Sequence, residues 1–202
     1  IKTEPIRCEG NNYNEEWEKE AEKRGLPNIK RTAYALDALI KPGNKKMLMR
    51  QGVFKENEID SRYNTKIEQY ITAMEIEAGT FNDLIRTRII PAALSYQNDL
   101  IRSVKGLREL KDVVNATVIE QEADLLKKVS GYIGELISYM EDVENVVSKA
   151  HTIDDEPQKA KFLADNLVDL LEEARQPADQ LELLVPDATW PLPKYSEMLF
   201  IM

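Results

Sequence analysis

Apolar side chains recur at intervals of three and four residues along most of this chain, and that spacing leaves few folds open other than packed helices. Ile59, Tyr63, Ile67, Tyr70, Met74, Ala78, Phe81 and Ile85 form the first series. With 3.6 residues per turn, the series falls on one face of a single long helix, expected over roughly 56–111. Gly79 weakens that helix without ending it. Pro91 cannot bond to the carbonyl of Thr87, so a kink is expected there. Leu126, Val129, Ile133, Leu136, Met140, Val143, Val147 and Ala150 make a second series, a heptad seam. Leu163, Leu167, Leu170, Ala174, Leu181 and Leu184 make a third, with Pro177 in a seam position and a bend expected at it.

The punctuation between these runs fits helices. Asn14 is placed to cap a short helix over roughly 14–24, with Glu15, Glu16 and Glu18 complementing its dipole. Gly25 followed by Leu26-Pro27 is a stop signal. Two more short helices are expected, roughly 33–40 behind Thr32 and roughly 45–51, separated by a break at Pro42-Gly43 and closed by Gly52. Thr117-Val118-Ile119-Glu120 reads as a capping box opening the second seam helix. His151-Thr152-Ile153-Asp154 is a turn, and Asp154, Asp155, Glu156 and Pro157 begin the third seam helix. So short a turn makes the two seam helices antiparallel neighbours, each on the order of 45–50 Å long. The fold class expected is all-α: short N-terminal helices, then long helices in an antiparallel bundle or coiled-coil hairpin. An extended proline-rich tail, 187–202, follows. It carries Trp190, Leu192, Met198, Leu199 and Phe200 and is too apolar to hang loose, so it is expected to dock.

With 43% hydrophobic and 31% charged residues, the chain belongs among globular rather than disordered sequences. No apolar run approaches the length of a membrane span, so no membrane partner is expected. A net charge of -9 makes nucleic acid a poor partner, because affinity there rests on neutralising phosphates. Arg102, Lys105, Arg108 and Lys111 recur every three residues and read as a solvated face before an anion-binding stripe. Cys8 is the sole cysteine, which excludes a disulfide within the chain. The expected location is cytoplasmic.

Reactive chemistry is hard to find. Neither G-x-x-x-x-G-K-[ST] nor G-x-G-x-x-G occurs. His151 is the single histidine, and the residue three before it is Ser148, so the Glu-x-x-His pairs of di-iron bundles are missing. His151 reads as a favourable end-of-helix residue. Cys8 lacks an evident base for nucleophilic work. Glu68, Glu75 and Glu77 flank the long-helix stripe, but among 36 acidic residues no pair stands out. Arg86 and Arg88 lie among Ile85, Ile89 and Ile90, and one of them is expected to be buried and salt-bridged. Tyr13, Tyr63 and Tyr70 read as packing residues. No catalytic, cofactor-binding or metal-binding residue is assigned.

Three stretches carry a resemblance to a known family. The first runs from Asn12-Tyr13-Asn14-Glu15-Glu16-Trp17 to Gly25-Leu26-Pro27-Asn28. The second joins Gly52-Val53-Phe54 and Glu58-Ile59-Asp60-Ser61-Arg62-Tyr63 to Arg86-Thr87-Arg88-Ile89-Ile90-Pro91-Ala92-Ala93 and Tyr96-Gln97. The third is Trp190-Pro191-Leu192-Pro193-Lys194-Tyr195 with Met198-Leu199-Phe200-Ile201. In this order they resemble the C-terminal end of type III glutamine synthetase; residues 107–185 match it mainly in helical character. The resemblance implies a parent ligase that joins ammonia to glutamate with ATP and Mg²⁺ or Mn²⁺, and that forms a dodecamer of two stacked hexameric rings. It also implies that this chain, which begins at Ile1, is cut from something longer. Its partners would then be the upstream catalytic domain of the same chain and other copies of the parent. The family's nucleotide, metal and glutamate residues lie upstream and find no counterpart here. Residues 1–78 look like the helical end of the catalytic domain. Residues 79–202 look like the type III extension, though the two could form one helical unit. Periodicity alone fits a stand-alone helical interaction module equally well.

Overall fold

The computed structural model describes residues 14–198, and every regular element among them is helical. Cys8, Tyr13 and the tail beyond Met198 lie outside the described residues. The chain divides into two compact units, Ile1–Ile67 and Glu68–Met202.

The first unit holds α1 (Glu15–Lys23), α2 (Thr32–Ile40), α3 (Pro42–Arg50) and the opening turns of α4 (Glu56–Leu84). Asn14 caps α1 as expected, its Oδ1 accepting from the Trp17 N–H at 3.0 Å. Gly25 closes the helix at φ 69°, with Leu26 N–H donating to the Ala21 carbonyl and Gly25 N–H to that of Glu22. Gly52 repeats this arrangement at φ 65°, with Val53 and Gly52 bonding back to Leu48 and Met49. Both glycines supply the left-handed residue this helix stop requires. Two boundaries differ from expectation. Arg31, not Thr32, is the N-cap of α2, and its side chain does not cap the helix. Pro42 opens α3 rather than only separating it from α2, because a proline at the first helical position gives up an N–H that would be unpaired anyway. Across the unit, the Tyr63 hydroxyl donates to Asp37 Oδ1 at 3.0 Å. Lys45 Nζ lies 2.6 Å from Asp60 Oδ1, which holds the Lys45 ammonium above its ordinary range. The Arg62 guanidinium stacks 4.5 Å from the Phe54 ring centroid.

The second unit is built on α6 (Ala116–Ala150), with α5 (Ile90–Glu109) on one side of it and α8 (Val168–Leu184) on another. Helix α7 (Glu156–Asn166) lies against both α6 and α8. Cross-links run in opposite directions along the two helical stretches, as antiparallel helices require: Ser103 with Glu122, Gln97 with Ser130, Arg86 with Glu144. The second and third seams are the core. Val129, Ile133, Leu136, Met140 and Val143 are buried, as are Leu163, Leu167, Ala174 and Leu181. Each such aliphatic side chain removed from water stabilises the fold by about 1.5–3 kcal/mol. Trp190 joins the same cluster beside Leu181 and Val185, with Leu192 packed against it, so the beginning of the tail docks as its composition suggested.

Three helix details differ from the sequence reading. Between α4 and α5 the chain makes a π-turn, Ile85–Ile89, and Ile90 N–H reaches back to the Ile85 carbonyl. The Thr87 hydroxyl donates to the Asp83 carbonyl at 2.6 Å, where a regular helix would use a backbone N–H. Together with the missing N–H of Pro91, this places the irregularity one turn before the proline. At the start of α6 the cap is Asn115, whose Oδ1 accepts from Thr117 N–H at 2.9 Å, so Thr117 sits inside the helix and opens no capping box. The third seam helix is interrupted at Leu167, not at Pro177, which lies buried within α8. Asn166 explains the earlier position: its side-chain amide donates to the Phe162 carbonyl at 2.8 Å and competes with the helical backbone there.

Candidate functional site

Charged groups that the sequence scatters widely gather along a groove between α4 and α6. Its volume is about 450 Å³, and Glu75, Gly79, Asn82, Asp83, Arg86, Glu144, Ser148 and His151 contribute its polar and open positions. Ala78 and Val143 supply a buried apolar floor. Residues 75, 79 and 82 of α4 and residue 86 of the π-turn that follows it succeed each other at helical spacing along one side. Residues 144, 148 and 151 do the same along α6 and its C-cap.

Glu75 anchors one end. Its Oε1 lies 2.9 Å from Lys159 Nζ and 3.2 Å from His151 Nε2. The Lys159 hydrogen bond holds the Glu75 carboxyl below the usual carboxylate range, opposed by partial burial and aided by the charges of Lys159 and His151. His151 therefore does cap α6, as expected of an end-of-helix histidine, and also faces Glu75 on α4. At the other end Arg86 pairs with Glu144. Arg86 and Arg88 are both exposed, contrary to the expectation that one is buried: the π-turn carries Ile85 and Ile89 inward and leaves the two arginines on the outer side. Asn82 is the one buried polar residue among those described; its Nδ2 donates to the Met140 carbonyl at 3.3 Å while its Oδ1 has no partner.

Of the residues singled out from sequence, Glu75, Arg86 and His151 come together here, while Glu68 and Glu77 are exposed elsewhere on α4. Tyr63 is buried as a packing residue and Tyr70 half-buried. Arg102, Lys105, Arg108 and Lys111 are all exposed on α5 and beyond its end, with Arg102 3.6 Å from Asp99. Asn82, Asp83, Glu144, Ser148 and Lys159 were missed. Asn82 alone left a signal, a polar residue four positions after Ala78 and three before Ile85 on an apolar arc.

Among the described residues no three His, Cys, Asp or Glu side chains gather closely enough to hold a metal ion. A second groove between α6 and α8, lined by Tyr132, Glu135, Tyr139, Glu173 and Asp179, has no lysine, arginine or histidine in its lining for phosphate.

Long antiparallel helices packed along buried seams make the second unit an all-α helical assembly. Residues 1–108, more than half of the chain, match the family described as glutamine synthetase C-terminal domain, and the chain belongs to that family. Along almost its whole length it is similar to a glutamine synthetase of Bacteroides fragilis (strain YCH46), with 32% identity over 99% of the chain and 28% of the relative. It is also similar to a type-3 glutamine synthetase of Dictyostelium discoideum, with 28% identity over 95% of the chain and 26% of the relative. A glutamine synthetase of Butyrivibrio fibrisolvens is 28% identical over 95% of the chain and 27% of its own length. The chain thus spans little more than a quarter of the curated relatives it matches. The type III resemblance read from its motifs agrees with these matches.

Proposed function

We propose that this chain is the non-catalytic C-terminal helical part of a glutamine synthetase, a ligase that forms glutamine from glutamate and ammonia with ATP and a divalent cation. Residues 1–78 complete the catalytic domain, and residues 79–202 form the type III extension that supports subunit assembly or regulation in a cytoplasmic homo-oligomer. The observation that carries this reading is the use of the seams: α6 and α8 bury their apolar faces against each other and against α5, in a chain whose family and relatives are glutamine synthetases. Such packing makes a rigid helical body, and on this reading the reaction chemistry lies in the remainder of the polypeptide. No group of His, Cys, Asp or Glu side chains among the described residues could hold the divalent cation.

Deleting residues 112–185 from the parent polypeptide tests the role of the extension. Oligomer size by light scattering, glutamine formation and effector response are the readouts, and at least one should change. If all three match the undeleted enzyme, the assembly or regulatory role is wrong. Glutamine formed by the isolated chain from ATP, glutamate, ammonia and Mg²⁺ would overturn its non-catalytic status.

A further inference from the structure

We propose that the tip of the hairpin formed by α5 and α6 docks into the groove between α6 and α8 of a second copy of this polypeptide. The inference rests on the assembly role proposed above and names its contact surface. The tip is apolar and uncovered. From Val104, the last buried residue of α5, to Val129, the first of α6, no side chain is buried. Leu107, Leu110, Val113, Val114, Val118 and Ile119 all lie in that stretch. Val113 is 84% exposed and Leu110 is 55% exposed. Further along α6 and α8, aliphatic residues of the same kind are the core of the unit. Apolar side chains grouped at the end of a hairpin and left to water mark an interaction surface.

Charge selects the occupant. Lys105, Arg108 and Lys111 are exposed beside these apolar residues, and none of them makes an ion pair among the described residues. Glu109 and Asp112 share the tip, so it keeps an excess of positive charge in a chain whose net charge is -9. The groove between α6 and α8 is the reverse. Its volume is about 500 Å³, and Glu135, Glu173 and Asp179 line it without a cation. Asp179 is taken by Arg175, but Glu135 and Glu173 make no ion pair among the described residues. Tyr132 and Tyr139, about two turns apart on α6, give the groove aromatic surface. Leu110 and Val113 seat on these rings, while Lys105 and Arg108 reach Glu135 and Glu173, an arrangement of apolar centre and charged rim. The tip cannot enter the groove of its own chain. Helix α6 is continuous, and Val118 stands about 21 Å from Tyr132 along it. The tip that enters belongs to another copy.

The test is photocrosslinking in the full polypeptide, with benzoylphenylalanine in place of Val113 and isotope-labelled copies mixed with unlabelled ones. Mass spectrometry should find position 113 joined to a peptide holding residues 132–139 or 173–180 of another copy. Lys105→Glu combined with Arg108→Glu should lower the yield of that adduct about tenfold, and adding Glu135→Lys and Glu173→Lys in the same chain should restore it. All four side chains are exposed, and melting curves establish that each variant is folded. The proposal is overturned by adducts to a lipid, to the remainder of the polypeptide or to another face of the chain. It is overturned equally by a yield that charge reversal leaves unchanged, or by reversal without rescue. If the adduct is missing while deletion of residues 112–185 still changes oligomer size, this contact is wrong and the assembly role stands. If that deletion leaves oligomer size unchanged, the assembly role and this contact fail together.

Discussion

Lys159 on α7 reaches across to Glu75 on α4, Nζ to Oε1 at 2.9 Å, and His151 at the end of α6 approaches the same oxygen at 3.2 Å. One carboxylate on α4 thus holds both the end of α6, 76 residues further along the chain, and α7, the helix that follows it.

This link sets a pH dependence. The Glu75 carboxyl is held below its ordinary range in the folded chain, chiefly by Lys159. A depressed folded value means that the contribution is fully present above the ordinary carboxylate range and is lost as pH falls through the lower, folded value. Glu75→Gln should therefore lower the melting temperature at pH 7, and the difference from the parent should vanish in strong acid. The effect is about 1 kcal/mol or less and should shrink with added salt. A difference that grows on acidification would contradict the assignment.

Asn82→Leu should stabilise the second unit. It replaces an unsatisfied buried amide oxygen by an apolar side chain on an apolar arc, and such a group costs about 1–3 kcal/mol where it lacks a partner. Urea unfolding monitored by circular dichroism should give a higher midpoint than the parent's; a lower one would show that the amide contributes more than its one weak bond.

Adjacent positions on α6 should respond very differently to truncation. Leu136 is fully buried in the seam and Ile137 is 42% exposed. Leu136→Ala should cost about 2–5 kcal/mol and Ile137→Ala well under half of that. Comparable losses in denaturant melts would mean that the seam is not the core.

Alanine should act in opposite directions at two kinds of glycine. At Gly52, with φ 65°, it meets the left-handed penalty and should destabilise by about 1–2 kcal/mol. At Gly79, which has helical geometry and open space around it, it should stabilise by about 0.5–1 kcal/mol. Paired thermal melts read both signs at once.

The seams were legible because burial follows the 3.6-residue period: Val129, Ile133, Leu136 and Met140 are inside for the same reason that they are evenly spaced. Glycine stops were legible too, since Gly25 and Gly52 act through their own backbone. Choices settled by competing local bonds were harder to read. Asn115 displaces Thr117 as a cap because an asparagine just before a helix reaches its second N–H, and nothing in the Thr-x-x-Glu spacing signals that competition. The break at Leu167 depends on Asn166 folding back to Phe162, whereas Pro177 lies within a helix held by its neighbours. The groove as an assembly was not legible, although Glu75, Arg86 and His151 were each singled out and Asn82 left a signal. Glu75, Asn82 and Asp83 meet Glu144, Ser148 and His151 only because α4 and α6 run side by side, and the intervening sequence carries no record of that register.

The π-turn at Ile85–Ile89 holds one residue more than an ordinary helical turn needs. Losing a residue elsewhere in α4 or α5 would swing every later side chain by about 100° around the axis and turn Leu100 and Val104 away from α6. Losing one inside this wide turn would relax it to an ordinary turn with the flanking faces still in phase. The segment is a phase adjuster between two stretches of helix, and length variation among homologous chains should be tolerated there before anywhere else along α4 and α5.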